Sequence, residues 1–368
     1  MRREIYLNEE FAAVAEDGRL AEYIPVNPEE RTGAVLWGKV GRIMKGTGSA
    51  FIDIGRNKAG FIPISENSKS FTGEPIRSGE YIRVQIRKEE NGGKGAYLSR
   101  DITIPGEYVI VMPENRYTGI SSRISDPDDR ELLSRIGKSI AGDSYGIIMR
   151  HSALEKKTEV LREEAERLIK QWNVLKEKNS VPATGKTIYS GNSIEDELKN
   201  DYAAAGITSI SYVERLPDQL KMQLEDAYLR KIRLPHGGNI VIDRCEAMTV
   251  IDVNSGSDSG RNSVRETIRE INREACREIV RQIRLRNISG IIIIDLIDCE
   301  KEDDRLSLPD ILREEFRADR IKTVVHGITD LGLIEMTRKR SRPAFAEIMT
   351  EKCDKCGGSG VIRRKVTE

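Results

Sequence analysis

Two strongly apolar strands that each end on a carboxylate constrain the fold of this chain more than any other feature of its sequence. One is TVIDVN, which carries Asp252 and Asn254, and the other is GIIIID, which ends on Asp295, 43 residues after Asp252. Between them, residues 263–286 have the apolar period of a long helix, which would return the chain and make the two strands neighbours. The ends of such strands are the usual place for a site in an α/β sheet. The apolar face of the helix holds Val264, Ile268, Ile271, Ala275, Ile279 and Ile283.

The acids on these strands are candidates for a metal site. Asp252 and Asn254 are two residues apart, so they point to the same face of an extended strand. Two carboxylates roughly 4 Å apart repel by ~4 kcal/mol at an effective dielectric near 20, and a divalent cation reverses the sign of that energy. Oxygen ligands with no His or Cys nearby favour Mg²⁺ or Mn²⁺ over zinc, and such sites commonly hydrolyse phosphodiesters. The alternative is that the acids cap turns or pair with nearby arginines.

Residues 37–100 have a different sequence pattern, with five short β-rich runs separated by glycine-containing turns. The count and spacing predict a small closed barrel, and 12 Lys and Arg against 6 Asp and Glu make it locally basic. Such a barrel is a frequent platform for single-stranded nucleic acid, which it binds by base stacking and charge. Phe51 and Phe61 begin two neighbouring strands, and Lys94 lies in a glycine-rich turn. On pattern alone, either Phe is equally suited to the core of the barrel.

The five cysteines fall into two groups. Cys245, Cys276 and Cys299 are scattered, which is typical of a reducing compartment and argues against a disulfide framework. Cys353 and Cys356 form the pair CDKCGGSG, which has the shape of half a zinc knuckle. Structural zinc takes four ligands, so one Zn²⁺ shared by two chains, and hence a homodimer, is the simplest interpretation. A redox pair and an inert pair are the alternatives.

The composition favours a cytoplasmic protein. Charged residues make up 33% of the chain, and no apolar run approaches the ~18 residues of a membrane span. The N-terminal MRREIYLNEEF has no apolar signal region, so we expect neither secretion nor a membrane span. Arginines spaced by four along 265–281 are expected to form a solvated, ion-paired helix face. The basic stretch RKRSR at 338–342 is either a phosphate contact or an ordinary surface patch.

Taken together, the motifs IDVNSG, RLRNISGIIIIDLID, LGLIEMTRKRSRP and CDKCGGSG resemble the ribonuclease E/G family of endoribonucleases. The barrel motifs GKVGRI, SAFIDIG, KAGFIPI and NGGKGA resemble the S1-type RNA-binding barrel of that family. The resemblance implies an α+β multidomain chain with an S1-type OB-fold inserted near the N-terminus and a DNase I-like α/β catalytic domain. The implied boundaries are 1–34 for the N-terminal strands of an RNase H-like subdomain, 35–102 for the barrel, 103–178 for a 5′-sensor region, 179–225 for a reduced RNase H-like or linker region, 226–346 for the catalytic domain, and 347–368 for a zinc-link and basic tail.

The resemblance also implies roles for individual residues. Asp252 and Asp295 match the magnesium-binding acids, and Asn254 matches the asparagine that supports them. Phe51, Phe61 and Lys94 match RNA contacts, and Cys353 and Cys356 match an inter-subunit zinc link. A 5′-phosphate pocket would include Gly119 and Arg150. His151 stands where the family has Thr, so the hydroxyl is missing and 5′-end sensing stays open.

The resemblance implies a Mg²⁺-dependent endoribonuclease of single-stranded RNA that leaves 5′-phosphate and 3′-hydroxyl ends. The alternative is a non-catalytic RNA-binding or ribosome-associated assembly protein on the same scaffold, which the short region between Trp172 and Arg233 and the presence of His151 favour. The chain stops soon after the cysteines, without the small domain of larger members, so a dimer is the largest assembly expected.

Overall fold

The computed structural model describes residues 1–26, 32–63, 75–90, 95–255, 264–358 and 360–362. The chain divides into two structural units. The split unit comprises Met1–Pro25 and Ile207–Glu368, and the inserted unit comprises Val26–Gly206.

The described strands are β1 Arg3–Leu7, β2 Phe11–Glu16, β3 Arg19–Pro25, β4 Val35–Met44, β5 Ser49–Asp53, β6 Gly60–Pro63, β7 Tyr81–Lys88, β8 Tyr97–Ser99, β9 Ile104–Pro105, β10 Val109–Met112, β11 Thr118–Ile120, β12 Gly146–Met149, β13 Thr187–Tyr189, β14 Ser209–Tyr212, β15 Lys231–Arg233, β16 Asn239–Arg244, β17 Met248–Asn254, β18 Gly290–Asp295, β19 Thr323–Ile328 and β20 Ile334–Arg338. The described helices are α1 Pro127–Ala141, α2 Thr158–Lys178, α3 Ile194–Asp201, α4 Asp218–Glu225, α5 Val264–Leu285, α6 Glu302–Leu306, α7 Leu308–Glu315 and α8 Phe345–Met349.

The inserted unit contains the predicted barrel. Its strands pair in the order β4-β5-β6-β8-β7, and β7 pairs back onto β4, which closes a five-stranded, OB-like barrel. The prediction of five strands is therefore confirmed. Side chains fill the interior, as expected for a barrel of this size. They include Leu36, Ile52, Val84, Ile86 and Leu98. A Cβ at position 38 would collide with Ile52, so the close approach of β4 and β5 requires Gly38.

The rest of the inserted unit is a four-stranded sheet in the order β11-β12-β10-β9, packed against α1 and α2. The predicted apolar face of α2 is buried at Leu161, Ala165, Leu168 and Trp172. One carboxylate on the same helix is also buried. Glu164 accepts hydrogen bonds from the backbone N–H groups of Glu107, Tyr108 and Val109 at 2.8, 2.8 and 2.9 Å. Three donors satisfy this buried charge and fix α2 against the start of β10.

The split unit contains two sheets. The first has the order β14-β1-β2-β3, with β1 parallel to β14. The second has the order β15-β16-β17-β18-β20-β19, in which β17 and β18 are parallel and α5 is the connection between them. The core of this sheet lies on the face toward α5 and α7. The prediction that the two acid-ended strands are neighbours is therefore confirmed.

Buried ion pairs join the first sheet to α5 and to the segment before β19. Glu16 accepts from Arg284 at 2.7 Å and from Arg3 at 2.8 Å, and Glu22 accepts from Arg320 at 2.7 Å. Burial raises the pKa of Glu16, but the hydrogen bonds and charges of Arg284 and Arg3 outweigh burial and lower that pKa below its ordinary value. The stability this contributes is present above the unfolded-state pKa of Glu16 and is lost as the pH falls through the lower folded-state value.

Four of the predicted arginines on α5 form ion pairs, but several of their partners lie outside the helix; these arginines are Arg265, Arg269, Arg277 and Arg281. Arg265 and Arg269 both contact Asp304, and Arg277 contacts Glu315. The acids beside them in sequence therefore do not account for these pairs. The pairs form through tertiary packing, because α6 contributes Asp304 and α7 contributes Glu315 to the arginine face of α5.

Candidate functional site

Asp252 and Asp295 lie together in the second sheet of the split unit, at the edge formed by the carboxyl ends of its central strands β17 and β18. β17 and β18 run parallel, and Asp252 lies directly opposite Asp295 in the register. Ile251 and Ile294, which precede the two acids, are buried in the core against α5. Because side chains alternate along a strand, Asp252 and Asp295 are turned to the opposite face, where the first is half-buried and the second exposed.

Asn254 lies on the same face as Asp252 and contacts it. Its side-chain amide Nδ2 donates a hydrogen bond to Asp252 Oδ2 at 2.6 Å. This bond fixes the orientation of the Asp252 carboxylate and leaves the other carboxylate oxygen turned away from the amide. The supporting role of Asn254, which the family resemblance implies, stays a prediction, and this hydrogen bond is the contact that such a role requires.

A further asparagine, which the sequence analysis missed, borders the site. β16 is antiparallel to β17 and places Asn239 directly opposite Asn254. Asn239 is only 8% exposed, and its side-chain oxygen Oδ1 has no hydrogen-bond partner within the described ranges. Leaving a buried acceptor unsatisfied costs about 1–3 kcal/mol, so such an atom calls for a donor or a cation. The sequence signal for Asn239 is the turn motif LPHGGN. Asn239 ends this motif and begins β16, which pairs with the strand that carries DVN.

The donor set of this edge fits a hard divalent cation. Asp252, Asp295, Asn254 and Asn239 offer oxygen atoms, which Mg²⁺ and Mn²⁺ prefer, and none of these four offers sulfur or imidazole. In the part of the chain that the structure describes, no three His, Cys, Asp or Glu side chains cluster closely enough to enclose a metal ion. Two carboxylates can nevertheless hold Mg²⁺ when water and phosphate complete its coordination.

A buried side chain on α5 fixes the segment that follows Asp295. Asn272 is fully buried, and its Oδ1 accepts from the backbone N–H of Ile297 at 3.1 Å while its Nδ2 donates to the Ile297 carbonyl at 2.7 Å. Ile297 is two residues beyond Asp295, so these two hydrogen bonds hold the segment that follows β18 against α5. An asparagine next to Ile271 in the apolar stripe was the available sequence signal.

The barrel presents Phe51 and Phe61 on its outer surface. The two residues are cross-strand partners on β5 and β6, and their ring centroids lie 6.3 Å apart in an edge-on arrangement. Phe51 is 37% exposed and Phe61 is half-buried, so neither ring belongs to the barrel core. The predicted contact Lys94 lies outside the described residues.

The predicted 5′-phosphate residues come together in the sheet of the inserted unit. Gly119 in β11 pairs with Ile148 in β12, and Arg150 follows β12 directly. The Arg150 guanidinium donates to Asp201 Oδ1 at 2.7 Å and to the carbonyls of Asn200 and Gly106 at 3.1 and 3.2 Å. His151 is exposed at the start of a short turn. Arg150 is therefore already engaged by a carboxylate.

The cysteine pair forms a tight turn. Cys353 is exposed and Cys356 half-buried. The Gly357 N–H donates to the Cys353 carbonyl at 2.8 Å, and Gly357 and Gly358 both adopt positive φ values. Two thiols leave a tetrahedral zinc two ligands short.

The first arginine of the basic stretch has a structural role. Arg338 is buried and donates to Asp319 Oδ2 at 2.7 Å, to Asn287 Oδ1 at 2.9 Å and to the Ile288 carbonyl at 3.0 Å. It is thus not available as a phosphate contact, whereas Lys339 and Arg340 are exposed.

Paired acids at a sheet edge and a barrel with aromatic rings on its surface are typical of enzymes that act on nucleic acid through a metal ion. Comparison with known proteins gives a more specific assignment. Residues 103–216 and 217–341 match the pattern of the Ribonuclease E/G family. The chain belongs to this family.

Individual relatives agree with the assignment. Ribonuclease G of Escherichia coli strain K12 is 32% identical over 396 residues, which cover 94% of this chain and 81% of that protein. Ribonuclease G of Haemophilus influenzae is 32% identical over 97% of this chain and 82% of its own length. Ribonuclease E of Escherichia coli strain K12 is 32% identical over 91% of this chain but only 36% of its own length.

Among the described residues, none of the helices combines the length and apolar character that crossing a membrane requires.

Proposed function

We propose that this chain is an endoribonuclease that cleaves single-stranded RNA with a divalent cation, Mg²⁺ or Mn²⁺. The observation that carries the proposal is the placement of Asp252 opposite Asp295 at an open sheet edge in a member of the ribonuclease E/G family. The relatives named Ribonuclease G and Ribonuclease E support RNA as the substrate.

In this proposal, Asp252 and Asp295 hold the cation, Asn254 orients Asp252, and Asn239 Oδ1 accepts a hydrogen bond at the border of the site. When bound, the cation supplies a polarised water and neutralises charge on the scissile phosphate. Phe51 and Phe61 stack on bases of the single strand, which keeps the strand unpaired. The expected products carry 5′-phosphate and 3′-hydroxyl ends.

The experiment that tests the function uses a short, A/U-rich, 5′-monophosphorylated RNA. Wild type and Asp252→Ala are compared with and without Mg²⁺, and the ends of the products are mapped. Internal cleavage by wild type alone, with Mg²⁺ only, is expected. Binding without cleavage by either protein would instead favour the alternative function, a non-catalytic RNA-binding or ribosome-associated assembly protein.

We also propose the domain roles that the resemblance implies. Residues 35–102 are the S1-type barrel, 103–178 the 5′-sensor region and 226–346 the DNase I-like catalytic domain. The RNase H-like region consists of 1–34 and the reduced segment 179–225. The pairing of β1 with β14 supports this last assignment, since it joins strands from both segments.

Asn272→Ala is expected to lower kcat for RNA cleavage about tenfold while KM changes little. The substitution leaves both backbone groups of Ile297 without their partner, which costs about 1–3 kcal/mol of stability and frees the segment next to Asp295. Ile279→Val on the same helix is the matched control, because it costs a similar ~1 kcal/mol without touching that segment. Steady-state kinetics and urea unfolding of both variants check this. Equal kcat in the two variants at equal stability would contradict a positioning role.

Arg150 is expected to contribute little to 5′-end recognition while Asp201 holds it. RNAs with 5′-monophosphate and 5′-hydroxyl ends should be cleaved at rates within about threefold of each other, because a phosphate must first displace a charge-assisted hydrogen bond. Asp201→Asn weakens that bond and should increase the preference for the monophosphate. Competition between the two RNAs in one reaction measures the ratio. A strong preference in wild type that Asp201→Asn does not change would contradict this account.

We propose that Cys353 and Cys356 bind one zinc ion together with the same pair from a second chain. Four thiolates complete the tetrahedral site, which makes a homodimer. One zinc per two chains is expected by elemental analysis of protein whose mass is measured by light scattering. Cys353→Ser should lose both the zinc and the dimer, and a zinc-free dimer would show that another surface holds the chains together.

A further inference from the structure

The barrel surface carries a third aromatic ring in line with Phe51 and Phe61. β6 pairs with β8 so that Phe61 lies opposite Tyr97, and their ring centroids are 6.3 Å apart. The spacing between Phe51 and Phe61 is also 6.3 Å. Because paired residues on neighbouring strands project from the same face, the three rings form one row across β5, β6 and β8.

The row is accessible and ends at a cation. Tyr97 is 39% exposed, close to the 37% of Phe51. On the next strand, Lys88 of β7 lies opposite Tyr97 and is exposed. A lone surface tyrosine on a strand needs no explanation, because aromatic residues favour strands. Regular spacing, shared exposure and a flanking cation are what stacking platforms for single strands combine.

We propose that Tyr97 is a third base-stacking residue, so that the bound RNA extends by one nucleotide from Phe61 toward β7. The proposal rests on the proposed RNA-binding function of the barrel. Stacking on a tyrosine ring tolerates any base, so Tyr97 adds affinity and length to the bound segment without adding sequence preference. The ligand is single-stranded, because the bases of a duplex are stacked on each other and cannot reach the rings.

The same barrel offers a matched control in Tyr81. It is 40% exposed, as Tyr97 is, but it lies at the other end of β7, seven residues from Lys88 and thus about 23 Å away along the strand. Its ring contacts Lys39 at 5.9 Å and is not part of the row. Removing either tyrosine changes the surface by the same amount, so only position in the row distinguishes the two variants.

The test measures binding of fluorescein-labelled oligoadenylates, lengthened one nucleotide at a time, by anisotropy without divalent cation. Tyr97→Ala should weaken binding of the longer oligonucleotides about tenfold and leave the shortest unaffected, since base stacking contributes 1–3 kcal/mol per base. Tyr97→Phe and Tyr81→Ala should stay within about twofold of wild type. Circular dichroism of all variants checks folding.

Two results would overturn the proposal, and they differ. If Phe61→Ala weakens binding but Tyr97→Ala binds the whole series as wild type does, the barrel binds RNA without Tyr97. If wild type binds none of the oligonucleotides, the proposed RNA-binding function of the barrel fails, and the role of Tyr97 fails with it.

Discussion

Asp295→Asn is expected to reduce RNA cleavage by about a thousandfold or more while RNA binding stays within about twofold of wild type. A unit charge roughly 4 Å from a cation contributes about 4 kcal/mol at an effective dielectric near 20, and each 1.4 kcal/mol is a factor of ten in rate. The amide keeps the size of the side chain but not its charge. Single-turnover cleavage at saturating Mg²⁺ measures the loss, and anisotropy without Mg²⁺ measures the binding.

The control for this variant is Asp298→Asn, three residues further along the same segment. Asp298 is also exposed but lies beyond the end of β18, away from the register that pairs Asp295 with Asp252. The Asp298→Asn variant should cleave RNA at a rate within about threefold of the wild-type rate. If Asp295→Asn cleaves RNA at a near-normal rate, these acids do not hold the catalytic metal, and equal losses in both variants would indicate a general effect of negative charge near the site.

Arg338→Met is expected to destabilise the split unit by about 3–5 kcal/mol, because it leaves Asp319 as a buried charge without its guanidinium. Both side chains of this pair are almost completely buried, at 1% and 0% exposure. Arg338 also donates to Asn287 and to the Ile288 carbonyl, so the turn that leads into β18 loses support as well. Urea unfolding followed by circular dichroism gives the change in free energy.

Arg340→Met, two residues along and exposed, provides the comparison. It should change stability by less than about 0.5 kcal/mol, as surface substitutions usually do. A stable Arg338→Met protein that instead loses RNA affinity would show that Arg338 contacts phosphate and that its buried ion pair with Asp319 is not required for stability.

The sequence predicted the elements whose pattern is local. The five barrel strands, the apolar face of α2 and the two strands that end on Asp252 and Asp295 all follow from periodicity and turn residues within short windows. The adjacency of these two strands also follows, because one helix joins them, whereas the register that places the acids opposite each other is known only from the structure. The exposure of Phe51 did not follow, since a barrel strand has two faces and the pattern does not say which one is outside.

Features that depend on distant partners were not predictable. Asn239 and Asn272 are important because of residues 15 and 25 positions away, and a single asparagine carries no signal of that kind. Arg338 looked like a surface cation until its partner Asp319 was placed beside it. Arg150 matched a family motif, but it pairs with Asp201, which lies on a helix and 51 residues later in the chain, and this pairing changes what Arg150 can bind.

The insertion of residues 26–206 between two parts of one unit has a consequence during synthesis. β1 pairs with β14, and the carboxylate of Glu16 pairs with Arg284, which is synthesised 268 residues later. At about 5–20 residues per second, a ribosome needs roughly 13–54 s to make that stretch. The inserted unit has all of its own strands well before then. We therefore expect β1, β2 and β3, which pair with one another, to lack β14 beside β1 and Arg284 beside Glu16 while the barrel folds on the ribosome, so that β1 is an exposed sheet edge until β14 emerges.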